Sequence, residues 1–332
     1  MEKTHFEQEI LRYALTEVNY ERFATLLSEI LPAYVRWVWG QDGIYRRHFN
    51  DWQTHGFNLM PNHYYSPIPY VGQIERRLEQ KTCMIGINLR EADQLHFLGN
   101  ICPLFKEEYA RFPENKTGEQ YQFHFNNGVF ERVDAEVLHC MVRHNHPKRI
   151  IEVGSGYSTL ISSAAICMNK TKDGKECELV AIEPFPNDLF KAEIPGLSRL
   201  IEKPLQEIDI ELFRGLEEND ILFIDSSHVL KTGSDVQMLY LEILPQIKKG
   251  VLVHVHDIFL PAEYPKTWIK EEHIFWNEQY LLQAFLSFNA SFEVVWAGSF
   301  MHLNYPEILQ EVFPGYIPRH CLPGSFWIRR IS

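Results

Sequence analysis

The stretch that decides the fold is Ile150-Ile151-Glu152-Val153-Gly154-Ser155-Gly156-Tyr157-Ser158. An apolar strand runs into a turn with two glycines, and a helical pattern follows over residues 159–168. Glycines at such a turn let the backbone bend sharply and approach a ligand. Thr159 stands where dinucleotide-binding chains have a third glycine, so that fingerprint is incomplete. A plain strand-to-helix turn is the alternative, but the acid at Glu152 favours a turn that faces a cationic ligand.

Short apolar runs continue towards the C-terminus, separated by helical patterns. They lie at residues 178–183, 198–202, 220–225, 250–257, 292–297 and 326–331. Near-continuous apolar strands that alternate with helices are typical of a parallel sheet covered on both faces. The sequence therefore predicts an α/β fold over residues 134–332. We expect a Rossmann-like, mostly parallel seven-stranded sheet whose last two strands form a pair at one edge.

The N-terminal part, residues 1–133, is predicted to be a separate helical and loop-rich region that serves as a cap or in oligomerisation. Residues 1–31 have helical spacing, and Pro32 is expected to end or kink that helix. Residues 33–75 are rich in aromatics and turn formers, which predicts an ordered loop. Aromatic and imidazole groups in that loop could bind an acceptor by stacking and hydrogen bonding, or only attach the extension to the core. The candidate substrate-binding residues are His63, Tyr64 and Tyr65.

Charge and composition restrict the partners. Lys and Arg total 32 against 44 Asp and Glu, which gives a net charge of −12. An acidic chain is repelled by nucleic acids and by anionic lipids, so we expect neither as a partner. The sequence contains no apolar run of about 18 residues that would span a membrane. Six cysteines without a C-x-x-C pair, and no apolar leader, predict reduced thiols in the cytoplasm. A homodimer stays open.

Polar residues follow the later strands. Glu183 ends the second strand of the predicted sheet, and a carboxylate there can accept hydrogen bonds from ribose hydroxyls. The fourth strand ends in Asp225-Ser226-Ser227-His228, and the fifth in His254-Val255-His256-Asp257. Ligands of open α/β sheets bind beyond the carboxyl ends of the strands. These polar side chains are therefore expected to lie together at one site.

The order of these features resembles the class I S-adenosylmethionine-dependent methyltransferases, from about residue 134 to residue 332. The two polar strand ends look like those of the small-molecule branch that includes macrocin O-methyltransferase-like enzymes. The resemblance implies S-adenosylmethionine as cofactor, a small-molecule acceptor, and methyl transfer to oxygen or nitrogen. It also implies a cofactor site, with Gln206 at the adenine. The implied cofactor-binding residues are Glu152, Gly154, Ser155, Gly156, Ser158, Glu183, Gln206, Asp225 and Ser226.

Methyl transfer requires alignment of nucleophile and methyl group, and often the removal of a proton. Histidine suits that base role, so the candidate catalytic residues are His256 and His228, with Asp257 as a partner. Some metal-dependent relatives place an acid after strand four and two acids after strand five. Asp225 and Asp257 match two of these positions, and His256 stands at the third. A divalent metal bound by Asp225, His256 and Asp257 stays open, and this donor set suits a transition metal better than magnesium.

Three other functions stay open on the sequence alone. A nicotinamide-dependent oxidoreductase shares the strand–glycine–helix pattern, although the incomplete fingerprint and the acid at Glu152 count against it. A metal-dependent hydroxylase or hydrolase could use Asp225, His228 and His256. The sheet could also be a scaffold, with the N-terminal region as a binding module.

Overall fold

The computed structural model describes residues 17–40, 44–60, 62–187, 190 and 194–332. The chain forms two compact units, Met1–Gly72 and Gln73–Ser332. Residues 73–133 therefore belong to the same unit as the sheet, although the predicted boundary separates them from it. The role predicted for residues 1–133, as a cap or in oligomerisation, stays a prediction.

The described residues of the first unit are mainly helical. Helix α1 spans Glu17–Gly40 and helix α2 spans Ile44–Thr54. Pro32 lies inside α1, so the predicted end of the helix at this residue is wrong, whereas the alternative of a kink stays a prediction. The loop predicted over residues 33–75 is wrong for residues 33–40 and 44–54, which are helical. A proline costs about 3 kcal/mol in a helix interior, which the helical residues on both sides offset here. Aromatic residues are compatible with a helix, whereas residues 1–16 of the predicted helix lie outside the described residues.

The second unit is built on a sheet with seven strands in the described residues. They are β1 (Arg149–Val153), β2 (Glu178–Ile182), β3 (Leu197–Ile201), β4 (Ile221–Ile224), β5 (Leu252–Val255), β6 (Phe292–Ala297) and β7 (Phe326–Arg330). Their order is β3-β2-β1-β4-β5-β7-β6. Strands β1 to β5 are parallel, and β7 runs antiparallel to both β5 and β6. The predicted Rossmann-like sheet, with a C-terminal pair at one edge, is confirmed.

Helices cover both faces of this sheet. The remaining α-helices are α3 (Val71–Ile74), α4 (Glu91–His96), α5 (Lys106–Tyr109), α6 (Asp134–Asn145), α7 (Tyr157–Asp173), α8 (Glu211–Arg214), α9 (Asp235–Met238), α10 (Lys266–Lys270), α11 (Glu278–Leu286), α12 (Gly298–Asn304) and α13 (Pro306–Val312). Shorter helical turns extend several of them, so residues 91–109 and 235–246 are each continuously helical. In the described part of the chain, no helix is long and apolar enough to cross a membrane.

The core has two layers because successive strand residues face opposite sides of the sheet. Ile150, Ile221 and Phe223 pack on the face that α6 and α7 cover. Ile151 and Leu222 pack on the other face, with residues of α9 and α11. Strands buried on both faces are apolar almost throughout. A polar residue within them therefore needs a specific partner or a ligand.

Candidate functional site

The first glycine of the turn after β1 is required by the fold. Gly154 has a positive φ of 88°, and a Cβ atom built on it would lie 2.0 Å from the carbonyl oxygen of Asp225. Its N–H donates to the carbonyl oxygen of Ile182 at 3.0 Å, and the N–H of Asp225 donates to Val153 at 2.8 Å. The ends of β1, β2 and β4 thus meet through backbone atoms, and only glycine fits at position 154.

The second glycine has a different environment. Gly156 has extended backbone, and a Cβ atom built on it would meet no atom of the described residues within 4 Å. Its N–H donates to Oγ1 of Thr159 at 3.1 Å, at the start of α7. A side chain at position 156 would project into open space. The fold alone does not demand glycine there, and the space suits a ligand that approaches the backbone closely.

Glu152 is a carboxyl group buried inside β1, with 1% of its surface exposed. The Ser158 hydroxyl donates to Oε1 at 2.6 Å, whereas Oε2 has no hydrogen-bond partner among the described residues. The buried hydroxyl of Ser155 also lacks a partner within the same part of the chain. Burial raises the pKa of Glu152 to about 8, and the negative charges of Asp225 and Glu183 add to this. A nearby cation would favour the ionised form and make the unpaired oxygen an acceptor.

A cleft of about 390 Å³ opens beyond the carboxyl ends of β1, β2 and β4. Glu183 Oε1 accepts the N–H of Phe185 at 2.8 Å, and Gln206 Nε2 donates to the carbonyl of Gly233 at 2.8 Å. Five of the predicted cofactor-binding residues line this cleft: Gly154, Glu183, Gln206, Asp225 and Ser226. The other four, Glu152, Ser155, Gly156 and Ser158, lie at the adjoining turn.

The four chemically active residues of the β4 and β5 ends lie together, and we call them the β4–β5 cluster: Asp225, His228, His256 and Asp257. His228 Nε2 lies 3.2 Å from Asp225 Oδ1 and 3.6 Å from Asp257 Oδ2. His256 Nδ1 lies 3.7 Å and 3.5 Å from the same two atoms. The polar residues at the ends of β4 and β5 thus lie close together, as expected from the sequence.

Three members of the cluster converge closely enough to bind one metal ion. One ligand atom each from Asp225, His228 and Asp257 lies within 4.8 Å of the others. This set differs from the predicted one, because His228 takes the place of His256. His228 and Asp257 both have positive φ angles, of 57° and 55°, which turn their side chains inward at the strand ends.

Two further acids support the cluster and were missed in the sequence. Glu278 Oε2 lies 2.9 Å from His228 Nδ1, and Asp134 Oδ2 lies 3.6 Å from His256 Nε2. Asp134 also accepts the backbone N–H groups of Gly324 and Ser325, at 2.8 Å and 3.0 Å. Each of these acids begins a helix, a position where acids are common for helix stability alone. No sequence signal distinguishes them from such helix-terminal acids.

The acids keep His228 protonated. Burial lowers its pKa, but the hydrogen bonds to Asp225 and Glu278 prevail and raise the pKa of His228 to about 10. Burial likewise opposes ionisation of Asp225, but His256 and His228 hold the pKa of that carboxyl well below its usual range. Near neutral pH, His228 is therefore an imidazolium and Asp225 a carboxylate.

Acids also surround His256. Burial lowers its pKa, whereas Asp257, Asp225 and Asp134 raise the pKa of His256 well above its usual value. The ring packs against Phe130, with 4.9 Å between the ring centroids. With Glu278 included, four carboxyl groups surround two imidazoles, an arrangement that attracts a cationic ligand.

His254 precedes this cluster on β5 and belongs to the core. Its Nε2 lies 2.8 Å from the hydroxyl of Ser325, and its ring stacks on Phe223 with centroids 4.0 Å apart. Burial lowers the pKa of His254 well below its usual value, so the residue is neutral. It contributes packing and not charge.

The predicted substrate-binding residues lie in the first unit. Tyr64 and Tyr65 are 94% and 84% exposed. The N–H of Tyr65 donates to Nδ1 of His63 at 3.0 Å, and the two tyrosine rings meet edge to face at 5.3 Å. The role of these residues in binding an acceptor stays a prediction.

A protein-family model described as a methyltransferase domain matches residues 151–258. The matched segment contains the glycine turn, Glu183 and all four residues of the β4–β5 cluster. Residues 151–258 therefore form a methyltransferase domain, which confirms the predicted resemblance to methyltransferases for this segment.

The methyltransferase is similar to proteins from several organisms. An uncharacterised protein of Archaeoglobus fulgidus is 36% identical over 172 residues, which cover 48% of this chain and 75% of the relative. The S-adenosylhomocysteine-bound methyltransferase PaMTH1 of Podospora anserina is 19% identical over 74% of this chain and 97% of its own, with a TM-score of 0.37. An O-methyltransferase of Bacillus cereus with S-adenosylhomocysteine is 13% identical over 74% and 98%, with a TM-score of 0.34.

Proposed function

We propose that this methyltransferase transfers the methyl group of S-adenosylmethionine to an oxygen or nitrogen of a small molecule at the β4–β5 cluster. One observation carries the proposal: Asp225 lines the cofactor cleft and also contacts both imidazoles of the cluster. The cofactor cleft and the group of acid–base residues therefore have Asp225 in common. The net charge of −12 supports a small acceptor over a nucleic acid. The match of residues 151–258 to a methyltransferase domain supports methyl transfer over the nicotinamide-dependent alternative.

The residues around the turn fit the cofactor. S-adenosylmethionine supplies an electrophilic methyl group on a sulfonium and carries a cationic amine. The unpaired Oε2 of Glu152 suits that positive charge, and the open space at Gly156 leaves room for close backbone approach. Glu183 would accept the ribose hydroxyls, and Gln206 would lie at the adenine. These two assignments are based on the positions of Glu183 and Gln206, whose polar side chains belong to residues that line the cleft.

Proton removal from the acceptor is assigned to the β4–β5 cluster. Without the cofactor, the surrounding acids raise the pKa values of both imidazoles and so favour the protonated forms, which cannot accept a proton. A cation that enters beside them disfavours their charged form and lowers their pKa values. His256 then becomes a competent base. Asp257 would orient the ring, because its Oδ2 lies 3.5 Å from Nδ1 of His256. The site residues would thus acquire their base only when the cationic cofactor is bound.

The aromatic loop of the first unit is the proposed source of acceptor contacts. Tyr64 and Tyr65 present large aromatic surfaces with hydroxyl groups, which suits an aromatic or amphipathic acceptor. A homodimer remains open for this region as well.

Calorimetric titration with S-adenosylmethionine and S-adenosylhomocysteine tests the cofactor assignment. Strand β2 offers a matched pair of acids, because Glu183 follows its carboxyl end and Glu178 begins its opposite end, where it pairs with Arg149 at 2.7 Å. We expect Glu183→Ala to weaken cofactor binding by about 10- to 100-fold, since hydrogen bonds to a charged group are worth about 1.5–3 kcal/mol. Glu178→Ala should bind as the wild type does.

Two results would contradict the proposal. Equal loss in both variants would show that the strand, and not the carboxylate at its end, determines binding. Retention of full affinity in Glu183→Ala would remove this residue from the site.

The acceptor class is then tested by transfer of a radiolabelled methyl group to a panel of phenols, alcohols and amines, with RNA and DNA as the comparison. Label on nucleic acid alone would refute a small-molecule acceptor.

A further inference from the structure

A bulky apolar residue occupies a strained and exposed position shortly after helix α11. Phe288 has a positive φ of 59°, and the residue is 81% exposed. Glycine is the residue that usually adopts this conformation after a helix, because a side chain makes the left-handed region unfavourable. Strained residues cluster at functional positions. The fold alone therefore does not explain a phenylalanine here.

The ring of Phe288 has a defined place on the surface, over the segment that precedes α4. The N–H of Phe288 donates to the carbonyl oxygen of Gly86 at 2.9 Å. Gly86 has a positive φ of 78°, and a Cβ atom built on it would lie 3.0 Å from two ring carbons of Phe288. The ring thus lies directly over Gly86, at a distance that only glycine permits. The adjacent Ile85 is also exposed and adds a second apolar side chain to this surface.

A groove of about 500 Å³ lies beside the ring, and Phe288 forms part of its wall. Its apolar lining includes Ile87, Leu286, Phe292, Val294 and Ile331. Phe292 and Val294 belong to β6, which is an edge strand of the described sheet. Proteins usually cover or blunt such edges, because an exposed edge can associate with another chain. A projecting aromatic ring and an apolar groove at a sheet edge together indicate a contact surface.

The charges at this groove are paired and cancel. Arg90 and Glu293 both line it and form an ion pair at 2.5 Å. Arg90 also pairs with Asp93 at 3.0 Å, and Arg329 lies 3.9 Å from Glu293. Two positive and two negative side chains therefore balance, in a chain whose net charge is −12. A strongly charged partner would gain nothing from this surface, whereas two acidic copies of the chain can meet there without local repulsion.

We propose that two copies of this chain associate through this surface, with Phe288 of each copy inserted into the groove of the other. In a two-fold contact both copies use the same patch, so a ring and a groove that lie side by side give two identical insertions. A second copy carries both halves of the contact, whereas any other partner would need a matching ring and groove of its own. The inference goes beyond the proposed function and does not depend on it. It assigns the contact to the second unit of the chain and not to the first.

Sedimentation velocity of the full chain tests this surface between about 0.1 and 100 μM, because standard-size interfaces have micromolar or lower dissociation constants. Phe288→Ala and Phe288→Gly remove the ring. Ala290→Trp places a large side chain at an exposed position that lines the groove, so it blocks the groove without disturbing the core. Leu241→Ala is the matched control, since it truncates an exposed apolar side chain on the helical segment 235–246, outside the groove.

We expect a wild-type dimer with a dissociation constant in the micromolar range or below. Phe288→Ala, Phe288→Gly and Ala290→Trp should each weaken dimerisation by at least about 100-fold, and Leu241→Ala by less than about 3-fold. A mixture of the Phe288→Ala and Ala290→Trp proteins should associate at least about 10-fold more tightly than either protein alone. The reason is that the mixed pair retains one ring and one open groove that face each other.

The backbone strain at position 288 gives a second readout. Both truncated variants lose the ring, but only glycine adopts the positive φ without strain. Phe288→Gly should therefore have a Tm about 2–4 °C above that of Phe288→Ala. Equal Tm values would contradict the strain from which the contact surface was inferred.

Three results would overturn the proposed contact. The first is a wild type that stays monomeric up to about 100 μM. The second is an oligomer that Phe288→Ala and Ala290→Trp leave intact, which would assign the contact to another surface, such as helix α1. The third is a mixture of these two variants that associates no better than each variant does alone.

Discussion

The two glycines of the turn after β1 should respond in opposite ways to the same change. Gly154→Ala adds a methyl group where the carbonyl oxygen of Asp225 lies 2.0 Å away, and Gly156→Ala adds one where no atom from the described part of the chain lies within 4 Å. We expect Gly154→Ala to destabilise the protein strongly. Gly156→Ala should leave stability nearly unchanged and reduce the affinity for S-adenosylmethionine, because its methyl group enters the space assigned to the ligand.

The magnitude for Gly154→Ala follows from two contributions. A tolerable contact requires at least 3.0 Å, so β1 and β4 must separate by about 1 Å at this point. That movement disrupts the hydrogen bond from Asp225 to Val153, now 2.8 Å long, which is worth about 1 kcal/mol. Alanine at a positive φ costs about 1 kcal/mol more. The expected loss is about 2 kcal/mol, or roughly 4–8 °C in Tm for a domain of this size.

Urea unfolding and calorimetric titration with S-adenosylhomocysteine measure the two effects separately. For Gly156→Ala we expect a change in stability below about 1 kcal/mol, because alanine adopts the extended backbone without strain, and a loss of affinity of at least 10-fold. If both variants lose stability equally, the contrast between the two turn positions is wrong. If Gly156→Ala binds the cofactor normally, the ligand does not occupy the space beside Gly156.

Two further predictions concern pH. Because the pKa of Glu152 is raised from 4.5 to about 8, the stability of the ligand-free protein should fall by roughly 1.4 kcal/mol per pH unit as the pH rises between these two values, and Glu152→Gln should remove that decline. Urea unfolding of both proteins between about pH 5 and pH 9 measures it, and parallel curves would contradict it. Glu108 is buried and bonds to His139 and Arg143, at 2.9 Å and 2.7 Å, so Glu108→Gln should cost about 3 kcal/mol near neutral pH. The pKa of Glu108 is lowered, so its contribution is present above about pH 4.5 and is lost as pH falls, and the difference between wild type and variant should shrink in acid. A difference that grows in acid would show that the ion pair is not its source.

Much of the sheet and of the cofactor turn could be predicted because local patterns determine them. Apolar runs mark strands buried on both faces, and the break at Gly154 follows from a backbone contact that only glycine permits. The polar ends of β4 and β5 were also visible, since both lie directly after apolar strands. That Asp225 and Asp257 meet follows from the adjacency of parallel strands at one edge of the sheet.

The two acids that contact the histidines of the cluster, Asp134 and Glu278, could not be predicted in the same way. Asp134 lies 122 residues before His256, and Glu278 lies 50 residues after His228. Neither follows a strand, and each begins a helix, so local sequence gives them an ordinary explanation. The prediction that a helix ends at Pro32 was wrong for the opposite reason. The rule that proline ends helices is a strong local rule, yet the residues on both sides of Pro32 are helical. Contacts between distant segments decide such cases, and a single sequence does not encode them in a local pattern.

The contact between Gly154 and Asp225 has a consequence for how the enzyme can be redesigned. The backbones of Gly154 and Asp225 are in direct contact, so the loops after β1 and β4 cannot be exchanged independently for those of another methyltransferase. A chimera that replaces only one of them would misalign donor and acceptor even if each loop kept its own conformation. Substitutions meant to change acceptor preference are better placed in segments outside this backbone contact. The turn then acts as a fixed reference point against which new acceptor pockets can be built.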